Sequence, residues 1–183
     1  MGLKLENISY SVSLRNGDIH EIIKDFSLDV RPGEIVTLFG KSGCGKTTIL
    51  NIVSGLQKPT TGRIRYNSHD FSQPSEDIAF VFQEPALFPF RTVQSNVEFG
   101  LEVKGITGEE KRKRSGDVLK KVGLYEHRNK YPAKDKLSGG MKQRVEIAGV
   151  LADQSPVILM DEPFSALDDI TREEMQAFVL RIW

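Results

Sequence analysis

The stretch from Ile35 to Thr47, "IVTLFGKSGCGKT", decides how the rest of the chain is read. "IVTLFG" is a short apolar run of the kind that makes a strand buried on both faces, and it is expected as one. From Gly40 to Thr47 the residues then match G-x-x-x-x-G-K-[ST] in full, and "KTTILNIVSGL" continues as a helix. Strand, glycine loop and helix in that order form a cradle for phosphate. Gly40, Gly43 and Gly45 let the backbone wrap closely, so the N–H groups of Lys41, Ser42, Cys44 and their neighbours point inward as an anion nest. Lys46 adds a point charge for the outer phosphates, Thr47 offers a hydroxyl to Mg²⁺, and the helix start at Thr47 and Thr48 adds its positive dipole end. Cys44 is expected to act through its backbone N–H; the alternative is a thiol made alkylable by the helix terminus unless a ligand covers it.

Working outward, "LKLENISYSVSL" places Leu3, Leu5, Ile8, Tyr10 and Val12 in near alternation, "RNGD" turns the chain, and "IHEIIKDFSLDV" resumes the alternation. An antiparallel hairpin is expected, closed by a turn at "RPGE". Beyond the helix, "QKPTTG" is a turn, "RIRYNS" reads as an edge strand and "DIAFVFQ" as a second buried strand. Residues from about Pro85 to Lys136 carry more charge and little β-branched clustering. There "TGEEKRKRSGDVLKKVGL" has a capping-box pattern at Thr107 and Glu110, with Val118, Leu119 and Val122 apolar, so a helical insertion is expected. "LSGGMKQRVEIAGVLA" spaces Met141, Val145, Ala148 and Leu151 as one helix face with Ser138 as its N-cap. "PVILM" is a further buried strand, and "TREEMQAFVLRIW" is amphipathic through Met175, Phe178, Val179 and Ile182, with Trp183 on the same core-facing edge. Strands alternating with helices give an α/β fold with a largely parallel core sheet.

Composition narrows the function classes. Over 183 residues, 25 basic side chains balance 25 acidic ones, so no net field draws the chain to nucleic acid or an anionic surface. The basic run "KRKR", Lys111 to Arg114, follows Glu109 and Glu110 at helical spacing and reads as a solvated, self-paired face rather than a nucleic-acid contact. No apolar run approaches the ~20 residues of a spanning helix, and the N-terminus lacks a signal-peptide core, which points to a cytosolic chain. Cys44 is the single cysteine, fitting a reducing compartment.

Two further motifs carry chemistry. "VILMDEP" ends a strand on two carboxylates: Asp161, suited to the Mg²⁺ shell, and Glu162, suited to polarising a water. Gln83 closes "DIAFVFQ" and reads either as a solvated strand end or as an amide touching both metal and water. In "LSGGMKQR", Ser138, Gly139 and Gly140 precede a helix and make a second phosphate-binding helix start. One chain thus carries two cradles, far apart in sequence, and a dimer lets both close on one nucleotide.

These residues together resemble the nucleotide-binding domain of an ABC transporter. The phosphate loop is Gly40–Thr47, the Q-loop is Gln83, the signature is "LSGG" at 137–140, the Walker B strand is 157–161 with Glu162 as catalytic carboxylate, and the D-loop is "SALD" ending at Asp168. "FVFQEPALFPFRTVQSNVEFGL", "LSGGMKQRVEIA" and "DEPFSALD" are similar to importers of the nitrate, sulfonate and taurine group. The resemblance implies a P-loop NTPase core (1–84 and 152–183) with an N-terminal antiparallel part and an inserted helical subdomain (85–151). It implies ATP and Mg²⁺, held by Thr47, Gln83 and Asp161, and a head-to-tail dimer in which Lys46 of one subunit and Ser138 of the other sandwich each ATP. It further implies transmembrane permease subunits docking near "EPALFPF" (84–90) through Leu87, Phe88 or Phe90, a solute-binding protein reached through the complex, and a peripheral place on the inner face of the cell membrane. The adenine-stacking aromatic of the family falls on Val12, with Tyr10 as a possible substitute. His20, His69 and His127 lie outside the switch-histidine context, and the strand that precedes that histidine is not in the chain. Its absence is expected to leave mid-sheet backbone groups unpaired at ~1–3 kcal/mol each. The chain is therefore read as C-terminally truncated, with a non-catalytic fragment that at most binds nucleotide as the alternative. A DNA-repair or translation ATPase is disfavoured, since no long coiled coil parts the two cradles.

Overall fold

The computed structural model describes residues 2–67, 69–71 and 73–182, with the side chains of Phe71 and Ile182 excepted. Trp183 and the Ile182 side chain, both expected on a core-facing helix edge, lie outside the described residues. The chain forms two compact units, Met1–Ser75 and Glu76–Trp183.

In the first unit, β1 (Leu3–Ser13) and β2 (Ile19–Val30) form the expected hairpin, and β3 (Thr61–Tyr66) and β4 (His69–Phe71) extend it into an antiparallel sheet of order β2-β1-β3-β4. The slip in the alternation from Leu5 to Ile8 has a local cause. Asn7 adopts φ +51° opposite Asp25 at φ +47°, the register shifts there, and both Leu5 and Ile8 still reach the buried face. Asn7 Nδ2 donates to Asp25 Oδ1 (2.6 Å), while Ser27 Oγ accepts from the Asn7 amide and Ser9 Oγ from the Asp25 amide, so side chains take the backbone donors that the bulge removes from the ladder. β3 is not the edge that the sequence implied: three residues of β4 pair outside it. So short a strand, His69–Phe71, has no periodicity to announce it.

The larger correction concerns "IVTLFG". Residues 35–39 form no strand, and Ile35, Val36 and Phe39 are exposed, Phe39 completely. A strand exists only through a partner's ladder, and within Met1–Ser75 the sheet positions are taken by β2, β1, β3 and β4, none of which pairs with this run. Apolar composition supplied the propensity without the pairing. The turn before it is as expected, with the Glu34 amide donating to the Arg31 carbonyl.

In the second unit, β5 (Ile78–Val81) and β6 (Val157–Met160) pair in parallel, register Val81 to Met160. They are half-buried except for Val81 and Leu159, which are buried. Between them run α2 (Val93–Val97), α3 (Phe99–Val103), α4 (Gly108–Lys121), a 3-10 turn (Tyr125–His127) and α5 (Gly139–Asp153), with α6 (Asp169–Ile182) last. The expected helical insertion is thus present, and α5 is its axis: Val145, Ile147, Ala148 and Leu151 meet Val93, Val97, Leu101 and Leu119 in one core. Thr107 caps α4 in position but makes no side-chain cap bond, and Glu110 pairs with Arg114 instead of completing a capping box. Lys111 is not solvated as expected. It lies between Glu102 (2.9 Å) and Glu98 (3.4 Å), and Arg91 closes the same network on Glu102 (2.8 Å).

Candidate functional site

The phosphate loop lies in the first unit. Gly45 takes φ +95°, and a Cβ there would stand 3.3 Å from side-chain atoms of Ile22 and Ile23, so both conformation and space require glycine. Gly43 is likewise left-handed, at φ +78°. At Gly40 a Cβ would collide with Cys44 Sγ at 2.6 Å, and the exposed thiol therefore folds over the loop's first residue. Helix α1 (Lys46–Val53) opens directly from this turn. Lys46 Nζ donates to the carbonyls of Gly40 (3.0 Å) and Lys41 (3.1 Å), which ties its ammonium across the loop mouth. Thr47 stands exposed and Thr48 half-buried on the first turn. Cradle, ammonium and exposed hydroxyl are the chemistry that a nucleotide's phosphates require, so the residues present fit that ligand.

In the second unit the ends of β5 and β6 bring Gln83, Asp161 and Glu162 together. The Asp161 amide extends the ladder by donating to the Val81 carbonyl (3.0 Å), and its side chain is buried. Glu162 is exposed and strained, at φ +44°. Gln83 Nε2 donates to Glu162 Oε2 at 3.2 Å, so the amide and the outer carboxylate form one polar pair. The bond ties Gln83 to the carboxylate, while both side chains remain exposed.

The start of α5 is built as expected. Ser138, extended at φ −63° and ψ 160°, accepts a hydrogen bond from the Met141 amide (3.2 Å), leaving its O–H proton free to donate outward. The glycines after it have a packing reason too. A Cβ on Gly140 would lie 3.1 Å from Leu167 and 3.3 Å from the Ala166 carbonyl, and one on Gly139 3.8 Å from Ala166. The "SALD" turn therefore packs on the signature helix within the same unit. Asp168 caps α6, accepting from the Thr171 amide (3.0 Å). Bonds from the Thr171 backbone and side chain, with the Arg144 cation a lesser influence, hold the Asp168 carboxyl below the usual range.

Sequence reasoning missed three buried polar side chains. Asn96, Gln143 and Glu146 are all buried. Asn96 Oδ1 accepts from the Phe88 amide (2.7 Å), and its Nδ2 donates to the carbonyls of Phe88, Arg91 and Thr92. Gln143 Nε2 donates to the Phe82 carbonyl, and Glu146 Oε1 accepts from the Ala86 amide, both at 3.2 Å. Burial raises the Glu146 carboxyl to about 7 against the pull of the Ala86 and Phe82 amides. For Gln143 and Glu146 the available signal was two polar letters at a spacing of three in "QRVEIAGVLA", which reads as an ordinary polar stripe; Asn96 in "TVQSNVEFG" gave none.

A phosphate loop that opens a helix and a carboxylate pair that closes a parallel strand define a P-loop ATPase. The ABC transporter family model matches residues 23–165, and the chain belongs to that family. It is 46% identical, over all of its length and 67% of the relative's, to the taurine import ATP-binding protein TauB of Roseobacter denitrificans. It is 43% identical, over 99% of its length and 67% of the relative's, to the uncharacterized ABC transporter ATP-binding protein MJ0412 of Methanocaldococcus jannaschii. Among solved structures it matches the dimeric bacterial ABC transporter cassette MJ0796 at 36% identity with a TM-score of 0.89, and the same cassette's post-hydrolysis dimer bound to ADP and Pi at 0.88. Each match covers 98% of this chain and 82% of that one. The chain thus spans about two thirds of its curated relatives, and among the described residues no helix is long and apolar enough to cross a membrane.

Proposed function

We propose that this chain is the ATP-binding and hydrolysing subunit that energises import of a small anion of the taurine, sulfonate or nitrate kind. The observation that carries the reading is the Gln83–Glu162 hydrogen bond, which joins an amide just beyond β5 to an exposed carboxylate just beyond β6. Similarity to the taurine import relatives over the whole chain supports the solute class.

In this reading Lys46 releases the loop carbonyls and takes the outer phosphates, with the amides of residues 41–48 around them. Thr47, Asp161 and Gln83 would hold Mg²⁺, which would supply positive charge to the phosphates. Glu162 accepts a proton from the attacking water, oriented by Gln83, as the terminal phosphoryl group is displaced. Ser138, Gly139 and Gly140 of a second copy donate to the same triphosphate, in a head-to-tail pair supported by the dimeric cassettes. Asp168 approaches that interface from the turn packed on the signature. In the same reading Phe90, 72% exposed beside half-buried Leu87 and Phe88, is the contact for transmembrane permease subunits on the inner face of the membrane; its exposure supports this. A solute-binding protein completes the complex. Residues 1–84 and 152–183 serve as the ATPase core and 85–151 as the helical part that carries the signature.

Phosphate release and binding of a fluorescent ATP analogue test the assignment together. Lys46→Ala is expected to lose binding and hydrolysis. Glu162→Gln is expected to keep binding and lose at least roughly a hundredfold in turnover, in line with removal of a general base. Turnover unchanged in Glu162→Gln, or no phosphate release by the parent chain with Mg·ATP, would reject the hydrolytic role.

A further inference from the structure

The parallel ladder between β5 and β6 stops at the Val81 carbonyl, and one residue later the backbone changes partner. From Phe82 to Ala86 it is met by two side chains of α5. Gln143 Nε2 donates to the Phe82 carbonyl, and Glu146 Oε1 accepts from the Ala86 amide, so the two bonds bracket Gln83 on both sides. The Phe82 amide also acts on the Glu146 carboxyl. Spacing of three residues puts both side chains on one face of the helix. Neither is there to fill space economically: Gln143 is 0% exposed and Glu146 9%, and each keeps a second polar atom, Gln143 Oε1 and Glu146 Oε2, buried without a partner. Apolar side chains of equal volume would fill the site without that desolvation cost. What the polar atoms add is a fixed position for the loop.

We infer that Gln143 and Glu146 are positioning residues, a two-point clamp by which the signature helix holds loop 82–86 and so sets the Gln83 amide on Glu162. The inference rests on the hydrolytic reading of Gln83 and Glu162 and extends it to residues that touch neither phosphate nor water. Because Ser138 begins the same rigid helix, a displacement of α5 at the signature end reaches the catalytic pair through the clamp, without passing through the sheet. The serine-led cradle and the catalytic carboxylate are in this way read by one another inside a single chain.

The test uses near-isosteric variants of the full chain, chosen so that folding is kept. Gln143→Met and Glu146→Met remove the clamp bonds at nearly constant volume, whereas Glu146→Gln retains the acceptor facing Ala86 and places an N–H donor where Oε2 lay. Hydrogen exchange is read on peptides covering 82–86 and, separately, on α5. Both methionine variants are expected to speed exchange in the loop roughly tenfold, the worth of one net hydrogen bond, with α5 protection and Tm unchanged or higher. Glu146→Gln is expected to exchange like the parent. In phosphate release, the methionine variants are expected to lower kcat roughly tenfold with KM for ATP within about twofold, and Glu146→Gln to restore kcat. Loop exchange that matches the parent in both methionine variants overturns the clamp, as does faster exchange spread along α5, which would mean a merely structural role. A normal kcat with a loosened loop overturns the positioning of Gln83. If the parent chain itself releases no phosphate, the proposed function fails, and the exchange comparison still decides the clamp.

Discussion

Asn96 shows how much one side chain can hold. Its carboxamide serves four backbone groups of residues 88–92, where the chain leaves the Pro-containing loop and enters α2; the Phe88 and Thr92 carbonyls also accept from the Arg91 and Asn96 amides, so the Phe88 amide and the Arg91 carbonyl lean on it most. Thr92 completes the arrangement by capping the Ser95 amide at 3.1 Å. Asn96→Leu keeps the volume and leaves the Phe88 amide and the Arg91 carbonyl without their partner in a half-buried setting, so a loss of roughly 1–3 kcal/mol is expected in urea unfolding. Asn96→Asp is expected to fall between, since an ionised carboxylate still accepts from Phe88 but faces three carbonyls. At this scale the sequence was partly legible. The roles proposed for Lys46, Asp161 and Glu162 come from motifs whose chemistry is local, whereas Asn96, Gln143 and Glu146 gain their meaning only from the loops that tertiary packing lays against them.

Among the elements, the antiparallel sheet depends on a crossing at its bulge. Gly62 at φ +91° lets β3 pass so close to β1 that a Cβ would stand 2.4 Å from the Asn7 carbonyl oxygen. Gly62→Ala therefore meets both a disfavoured dihedral and a backbone clash, and is expected to cost about 2 kcal/mol or more, read as a lowered urea midpoint at constant m-value. Element existence was legible where the signal was local: the β1–β2 hairpin from alternation and a turn, α1 from the loop that starts it, and α5 from its serine cap. It failed where an element is made by its partner. Residues 35–39 have strand composition and no ladder, and β3 reads as an edge until the three residues of β4 lie beside it.

For the molecule as a whole, two carboxylates act on stability in opposite senses. Glu102 is held below the usual range, first by its bond from Arg91 and then by Lys111. Its contribution is present above the unfolded carboxylate pKa and is lost as pH falls through the lowered folded value. Glu146 is raised from 4.5 to about 7 by burial. The folded state therefore holds a proton that the unfolded chain has released, so this contribution is complete below about 4.5 and is lost as pH rises through about 7. Thermal melts from pH 4 to 9 should show the parent falling behind Glu146→Gln by on the order of 2 kcal/mol across that interval, with parallel curves above it. A constant offset at all pH values would mean that the carboxyl titrates alike in both states.

Glu162 carries the outer carboxylate on a left-handed backbone, φ +44°, a conformation that costs a non-glycine residue on the order of 1 kcal/mol. Replacing it by glycine would relax the turn and erase the proposed proton acceptor in the same stroke. A library of this chain sorted for heat tolerance would accordingly be enriched in molecules that endure and do nothing, unless the sort also demands turnover.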